Sequence, residues 1–434
     1  MRAGGRPPGG GTADDRNSVA QTAPVTSAQS PRVTYRAVLR VREFRALLVA
    51  DGLSTLGDQV ARIAVALLVL ERSGSAFAAS ATYACSYLTW LVGGPLLSSL
   101  PDRYPRRRLM IGCDLARMAL VACLAIPGVS LWVVFAVLTL VGLMSPPAEA
   151  ARSALLADVL EGEEYVVANA LSGAVGQAGQ VGGFVAGGAL VALLGVQAAL
   201  LLDAATFAVS ALLLLTSVRE RLVTRSDAHE HGSALSEAAA GFRLVLSSPR
   251  LRSLLAWALL SAGTGIAAEG LAVTISDQYG GGALWAGILT AAIPAGFLLG
   301  SYLLLRVPPE GRERMFPALV VLSCVPLLAT PLVEDLRLLT ALWVLAGCGG
   351  ALQVVANSAF VQTVPAHLRG RAFGVAGTTM MGLQGALLLG AGALAELTGP
   401  RVPIAVLAGM CLLVVPLLPR SAPEPVIFSR SMEG

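Results

Sequence analysis

A chain of 434 residues would ordinarily fold as two or three soluble domains. Here 55% of the residues are hydrophobic and only 13% are charged, where a soluble domain carries about 25% charge. A mean hydropathy of +0.71 leaves too little polar surface to cover a particle in water, so the sequence reads as an all-α membrane protein. All 31 basic residues are arginine, and the absence of lysine removes both the P-loop lysine that clamps nucleotide phosphates and any Schiff-base chemistry. The formal net charge of +4 is assigned to loops beside the membrane and gives no reason to expect nucleic acid.

Residues 1–40 read as a disordered tail, rich in Gly, Pro, Ser, Thr and Ala. The first apolar stretch begins near Phe44, too late for a signal peptide. Apolar runs of roughly 20 residues, enough to cross ~30 Å of hydrocarbon, then recur with short breaks. They fall near 45–70, 77–100, 109–128, 130–148, 168–195 and 197–218, then near 252–275, 283–306, 315–333, 337–358, 372–398 and 402–419. The reading is twelve transmembrane helices in two pseudo-symmetric six-helix bundles, 41–218 and 252–420, with a tail at 421–434. Residues 219–251 form the one long polar connection, which holds His229 and His231 and carries a short amphipathic helix from Leu235 to Leu246.

The halves repeat each other. Arg106-Arg107-Arg108-Leu109-Met110 is echoed by Arg312-Glu313-Arg314-Met315-Phe316 about 206 residues later, and the same offset carries 157–171 onto 363–377. Such a duplication is common in secondary transporters, whose substrate site lies between the halves near the midplane. With the N-terminus placed in the cytoplasm, the outside loops hold only Arg72, Arg337 and Arg401. Arg62 and Arg117 lie within spans, and the other 26 arginines fall inside. This bias predicts a multi-pass protein of the cell membrane with both termini cytoplasmic.

The first span carries Asp51, Ser54, Thr55, Asp58 and Arg62. Steps of seven and four residues put Asp51, Asp58 and Arg62 on one helical face. A charge at the bilayer centre costs ~2.5–3.5 kcal/mol on insertion scales, so this stripe is expected to line a wet cavity rather than face lipid. It reads either as a proton or substrate site centred on Asp58, or as an Asp58–Arg62 pair that only holds the helix in place. Glu269 in the seventh span is a second candidate, titrating in transport or resting in an outward-facing vestibule. Asp203 is read as an N-terminal cap of the sixth span near the outer surface. Gly179, Gly183 and Gly187, spaced four apart, are expected to let helices approach closely. The six cysteines fall in apolar runs and read as small hydrophobes; His229, His231 and His367 lie in polar connections, and no metal motif or cofactor site is visible.

The loop after the second span reads Asp102-Arg103-Tyr104-Pro105-Arg106-Arg107-Arg108, which resembles the signature of the major facilitator superfamily. Val167-Ala168-Asn169-Ala170-Leu171, Leu202-Asp203-Ala204-Ala205-Thr206-Phe207, Ser248-Pro249-Arg250-Leu251-Arg252 and Val364-Pro365 with Leu368-Arg369-Gly370-Arg371 resemble its macrolide-efflux and enterobactin-exporter branch, over about residues 40 to 420. The chain departs from the family at Ser98, where glycine is usual, and at Pro308, where an aspartate would align. It also departs at Phe184 in Gly183-Phe184-Val185-Ala186-Gly187-Gly188, where the antiporter pattern has proline.

The resemblance implies the major facilitator fold and a cytoplasmic gate carried by Asp102, Arg103, Arg106, Arg107 and Arg108. Asp114 and Arg117, one turn apart in the third span, are grouped with that gate. It further implies a non-enzymatic, monomeric transporter with no nucleotide and no cofactor. That transporter would export a small amphipathic compound in exchange for protons by alternating access. Uptake of a nutrient by symport, and a scaffold or sensor that kept the fold without transport, are the alternatives.

Overall fold

The computed structural model describes residues 34–97, 100–221, 234–365 and 368–418. His229, His231, His367 and Ser98 lie outside those residues, as do most of both tails. The described chain is helical throughout, in twelve spans. The first is Arg42–Ser73, the second Ala76–Leu97 and the third Arg106–Leu124. The fourth runs Leu131–Val159 with a break at Met144, after which Pro146 and Pro147 start a new turn. Gly162–Ser217 holds the fifth and sixth spans, which meet at Gly195. Its φ of 81° lies in a region that glycine adopts without a Cβ penalty, and this lets the chain reverse with almost no loop.

The second half repeats the plan with Pro249–Gln278, Gly282–Leu304, Phe316–Leu328, Leu336–Thr363, Arg369–Thr398 and Val402–Val414. The tenth span breaks at Gly350, which is Met144 shifted by the 206-residue offset. Gly74 and Gly280, both with positive φ, close the first and seventh spans at the same offset. Among the described residues, eight helices are long and apolar enough to cross a bilayer on their own, one of them containing two spans. The remaining three are the second, diluted by Ser, Thr and Tyr, the third, with its arginines and Asp114, and the short twelfth.

The bundles meet through two symmetry-related pairs, the second span with the eleventh and the fifth with the eighth. Gly188 and Gly287 make the second pairing possible. A Cβ on Gly188 would stand 2.6 Å from the Ala283 carbonyl oxygen, and one on Gly287 would stand 2.3 Å from that of Phe184. Gly183 and Gly187 seat the fifth span on Leu56, Gln59 and Val60 of the first, whereas Gly179 has room for a Cβ.

Contact between the halves is uneven along the membrane normal. It is tight at the far face, opposite the arginine-rich loops: Gly392 lies against Phe77 and Ser80, and Glu396 accepts hydrogen bonds from Ser75 Oγ (2.6 Å) and Phe77 N (2.9 Å). Toward the arginine-rich face Gly173, Gly176, Gly374 and Gly377 border open space. The pair of bundles is therefore closed at the far face and open at the arginine-rich one. The linker helix, Ala234–Ser247, lies on the seventh and eleventh spans at the open end, where Gly241 meets the Arg371 carbonyl.

Candidate functional site

A cavity of about 390 Å³ lies between the halves, within the size range of small-molecule sites. Its wall is supplied almost wholly by the first half: Thr55, Asp58, Gln59 and Arg62 from the first span, Tyr83, Tyr87 and Trp90 from the second, Gln180 from the fifth and Asp203 from the sixth. Met381 reaches in from the eleventh span. A smaller cavity of about 150 Å³ continues toward the arginine-rich face through Asp51, Ser54, Asp114, Arg117, Glu149 and Arg152, sharing Thr55, Asp58, Trp90 and Ser145 with the first. The second half offers a different surface, a recess of about 290 Å³ lined by Leu254, Ala258, Phe297, Phe360, Phe373 and Met380, with Gln353 and Asn357 as its polar groups.

The stripe on the first span faces this interior, with partners that differ from those its spacing suggests. Asp51 pairs with Arg152 (3.2 Å), which also holds Glu149 (2.5 Å). Asp58 forms no ion pair with Arg62 among the described residues, so the i, i+4 pair read from the sequence is not made. Asp58 instead lies in the field of Arg117 first and Arg62 second. Arg62 points to where Tyr87, Glu269, Asp58 and Tyr83 surround it. Glu269 is not in an outward vestibule: it is 7% exposed, at the join of the two halves, with no hydrogen-bond donor to Oε1 among the described residues. Among the described residues it is the second-half charge that interacts with Arg62.

Asp114 and Arg117 are buried in the smaller cavity rather than gathered with the basic loop. Asp114 accepts from Ser210 Oγ at 2.7 Å, and Arg117 donates to Ser145 Oγ at 2.8 Å with its guanidinium 5.7 Å from the Phe207 ring centre. The loop itself binds within the first half. Arg106 pairs with Asp158, Arg108 pairs with Glu220 (2.6 Å), and Arg107 donates to the carbonyls of Leu214 (3.1 Å) and Leu215 (2.6 Å). These bonds tie the third span to the fourth and sixth at the open face; Asp102 and Arg103 are exposed there.

Asp203 is the residue the sequence placed wrongly. Because the sixth span starts directly after Gly195, Asp203 lies two turns inside the helix and cannot cap it. It is 1% exposed and lines the main cavity beside Asp58. The reversal at a single glycine was the signal that sets this depth.

The Major Facilitator Superfamily model matches residues 47–310, more than half of the chain. The chain belongs to the Major Facilitator Superfamily. It is 23% identical over 387 residues to the MFS-type transporter YfiS of Bacillus subtilis, covering 85% of this chain and 90% of the relative. A point mutant of the nucleoside transporter NupG superposes with a TM-score of 0.69 at 15% identity, covering 86% of this chain and 98% of that one. A bacterial homolog of the human lysosomal transporter Spinster, in an inward-facing and unoccupied conformation, superposes with a TM-score of 0.66 at 15% identity, covering 87% and 96%. The chain is thus a multi-pass membrane transporter with the major facilitator fold.

Proposed function

We propose that this transporter exports a small amphipathic organic compound, of the drug, antibiotic or secondary-metabolite kind, by proton antiport and alternating access. The observation that carries the reading is the contrast between the cavities of the two halves. The first-half cavity presents Asp58, Arg62, Tyr87 and Trp90, and a separate second-half recess presents Phe297, Phe360, Phe373 and Met380. A cargo with a polar or charged end and an apolar body satisfies both. A sugar phosphate would leave the second uncompensated. The positive-inside bias makes the arginine-rich face cytoplasmic, so the cavity is open where an exported compound would enter. The sequence motifs that resemble those of macrolide-efflux and enterobactin-exporter proteins support the same direction.

Proton coupling falls to the carboxylates of the cavity, with Asp58 as its centre and Asp51 beside the cytoplasmic exit. Arg62 and Glu269, from different halves, would change their separation as the halves rock. Each charge moved across 100 mV supplies ~2.3 kcal/mol, enough to drive uphill export. Asp102, Arg103 and Arg106 to Arg108 would form the cytoplasmic gate once that face closes.

The test is flux in right-side-out and inverted vesicles with a panel of fluorescent amphipathic compounds and an imposed pH gradient. The expected result is uptake into inverted vesicles that a protonophore abolishes. Accumulation in right-side-out vesicles would replace export by symport. Absence of movement in both orientations, with no binding to the purified protein, would leave a fold without transport.

A further inference from the structure

Resting on the proton-coupled reading above, we infer that Asp203 of the sixth span, seated between Gly57 and Thr206, is the residue that holds the transported proton. Its surroundings provide for a carboxylic acid better than for a carboxylate. Oδ2 is buried and has no hydrogen-bond donor among the described residues. Oδ1 has one polar neighbour, Thr206 Oγ1 at 3.3 Å. A hydroxyl has a single hydrogen, and Thr206 Oγ1 directs it to the Asp203 carbonyl oxygen at 2.8 Å. Oδ1 is left with only the longer, 3.3 Å share of that one hydrogen, too little to replace the hydration of a carboxylate. An ionised carboxylate at this position would be poorly compensated, with a shared hydroxyl on one oxygen and contact with the cavity as its sole route to solvation.

The charges around the site point the same way. Asp58 of the first span and Arg117 of the third are the charged groups that face Asp203 from the elements packed on it. Arg117 also serves Asp58 and Asp114, is bonded to Ser145, and makes an ion pair with none of the three among the described residues. Arg62 is shared between Asp58 and Glu269. Four carboxyl groups therefore share two guanidiniums, and the interior is balanced only if protons occupy part of the set. The acids do not converge as metal ligands would: among the described residues no three His, Cys, Asp or Glu are grouped to hold a metal ion.

Gly57 fixes the seat. A Cβ there would stand 2.3 Å from Asp203 Oδ1 and 2.4 Å from Thr206 Oγ1, so the first span approaches the sixth closely enough to exclude water beneath the carboxyl. Only the cavity side, shared with Asp58, is left for proton exchange. In the proposed cycle an Asp203 oxygen takes a proton from a hydronium ion in the cavity while it is open to one face. The same O–H bond breaks to water once the cavity opens to the other face.

The test needs no cargo. Infrared difference spectra of the full-length protein in lipid nanodiscs, recorded as pH is raised, should show loss of a protonated-carboxyl C=O band. Asp203→Asn should lack that band and Asp58→Asn should keep it. A band that survives in Asp203→Asn, or a wild type without one, overturns the inference. If Asp203→Asn does not fold, Thr206→Val retains the carboxyl and removes its single partner. The band should then shift, and an unshifted band overturns the inference. A band with no flux in vesicles sustains the proton site and removes the export reading; coupled flux without the band does the reverse.

Discussion

The two bundles repeat one chain plan at an offset of 206 residues, yet their interiors are opposites. The first buries or half-buries Asp51, Asp58, Arg62, Asp114, Arg117, Glu149, Arg152 and Asp203 around two connected cavities. The second lines its own recess with Leu, Phe and Met, and among its described membrane-embedded residues Glu269 is the one charge that reaches the join. Duplication thus preserves what holds helices together, such as the break in the fourth and tenth spans, and leaves the interior chemistry free to diverge. The first half has the equipment for coupling to an ion, and the second has the equipment for holding an apolar body.

Breaking the charged side should have the largest effect. Asp58→Asn is expected to reduce gradient-driven flux in vesicles to the level of protein-free controls, while size-exclusion profile and melting temperature stay near wild type. Normal flux in this variant would sink the division of labour. Arg117→Met is expected to act on stability instead. It removes the guanidinium whose field Asp58, Asp114 and Asp203 share and unmakes the bond to Ser145, a loss of about 1–3 kcal/mol. A thermal-shift assay should show the loss, and it should shrink in acidic buffer, where the carboxyls take up protons. An equal loss at all pH values would mean that packing on Phe207, and not charge, is the role of Arg117.

The apolar side should respond more mildly and in a different parameter. Phe360→Ala shortens the wall of the second-half recess, and truncating a buried aromatic contact with cargo is expected to raise KM by about tenfold, or ~1.4 kcal/mol. The maximal rate should change little, since no proton-carrying group is touched. Concentration-dependent flux measures this split, and a fall in maximal rate with unchanged KM would place Phe360 in the conformational cycle.

Much of this architecture is legible in the sequence because it depends on length and period. Twelve apolar runs, a long polar connection and the 206-residue echo require only the thickness of a bilayer and a duplicated unit. The first-span stripe is legible for the same reason, since steps of seven and four residues fix a helical face. What fails is everything set by a second helix. Asp58 answers to Arg117, 59 positions away on another span, and Arg62 answers to Glu269 across the two halves. Asp114 and Arg117 resemble members of the loop cluster when distance is counted along the chain, but their helix carries them inward to Ser210 and Ser145. Asp203 is misplaced by depth: read as the cap of a span whose apolar run already begins at 197, it lies two turns inside the helix that starts after Gly195. The open end is likewise a property of how two bundles rest against each other, which no single segment encodes.

The smallest expected effect tests that last property. At the far face the carboxylate of Glu396, in the second half, accepts from Ser75 Oγ and from the Phe77 backbone N–H at the start of the second span. It thereby supplies a helix N-terminus in one bundle with an acceptor from the other, a contact that must break when the far face opens. Because Glu396 is exposed, water replaces much of what is lost, and Glu396→Ala should shift the balance of states by only ~0.5–1 kcal/mol, a factor of about two to five. Spin labels at the far-face ends of the second and eleventh spans would report this as a larger population of long distances. Ser75→Ala removes one of the two donors and should give a smaller shift in the same direction. If Glu396→Ala leaves the distance distribution unchanged, closure of the far face belongs to the glycine contacts at Gly188, Gly287 and Gly392 alone, and the two halves are held by packing rather than by a polar latch.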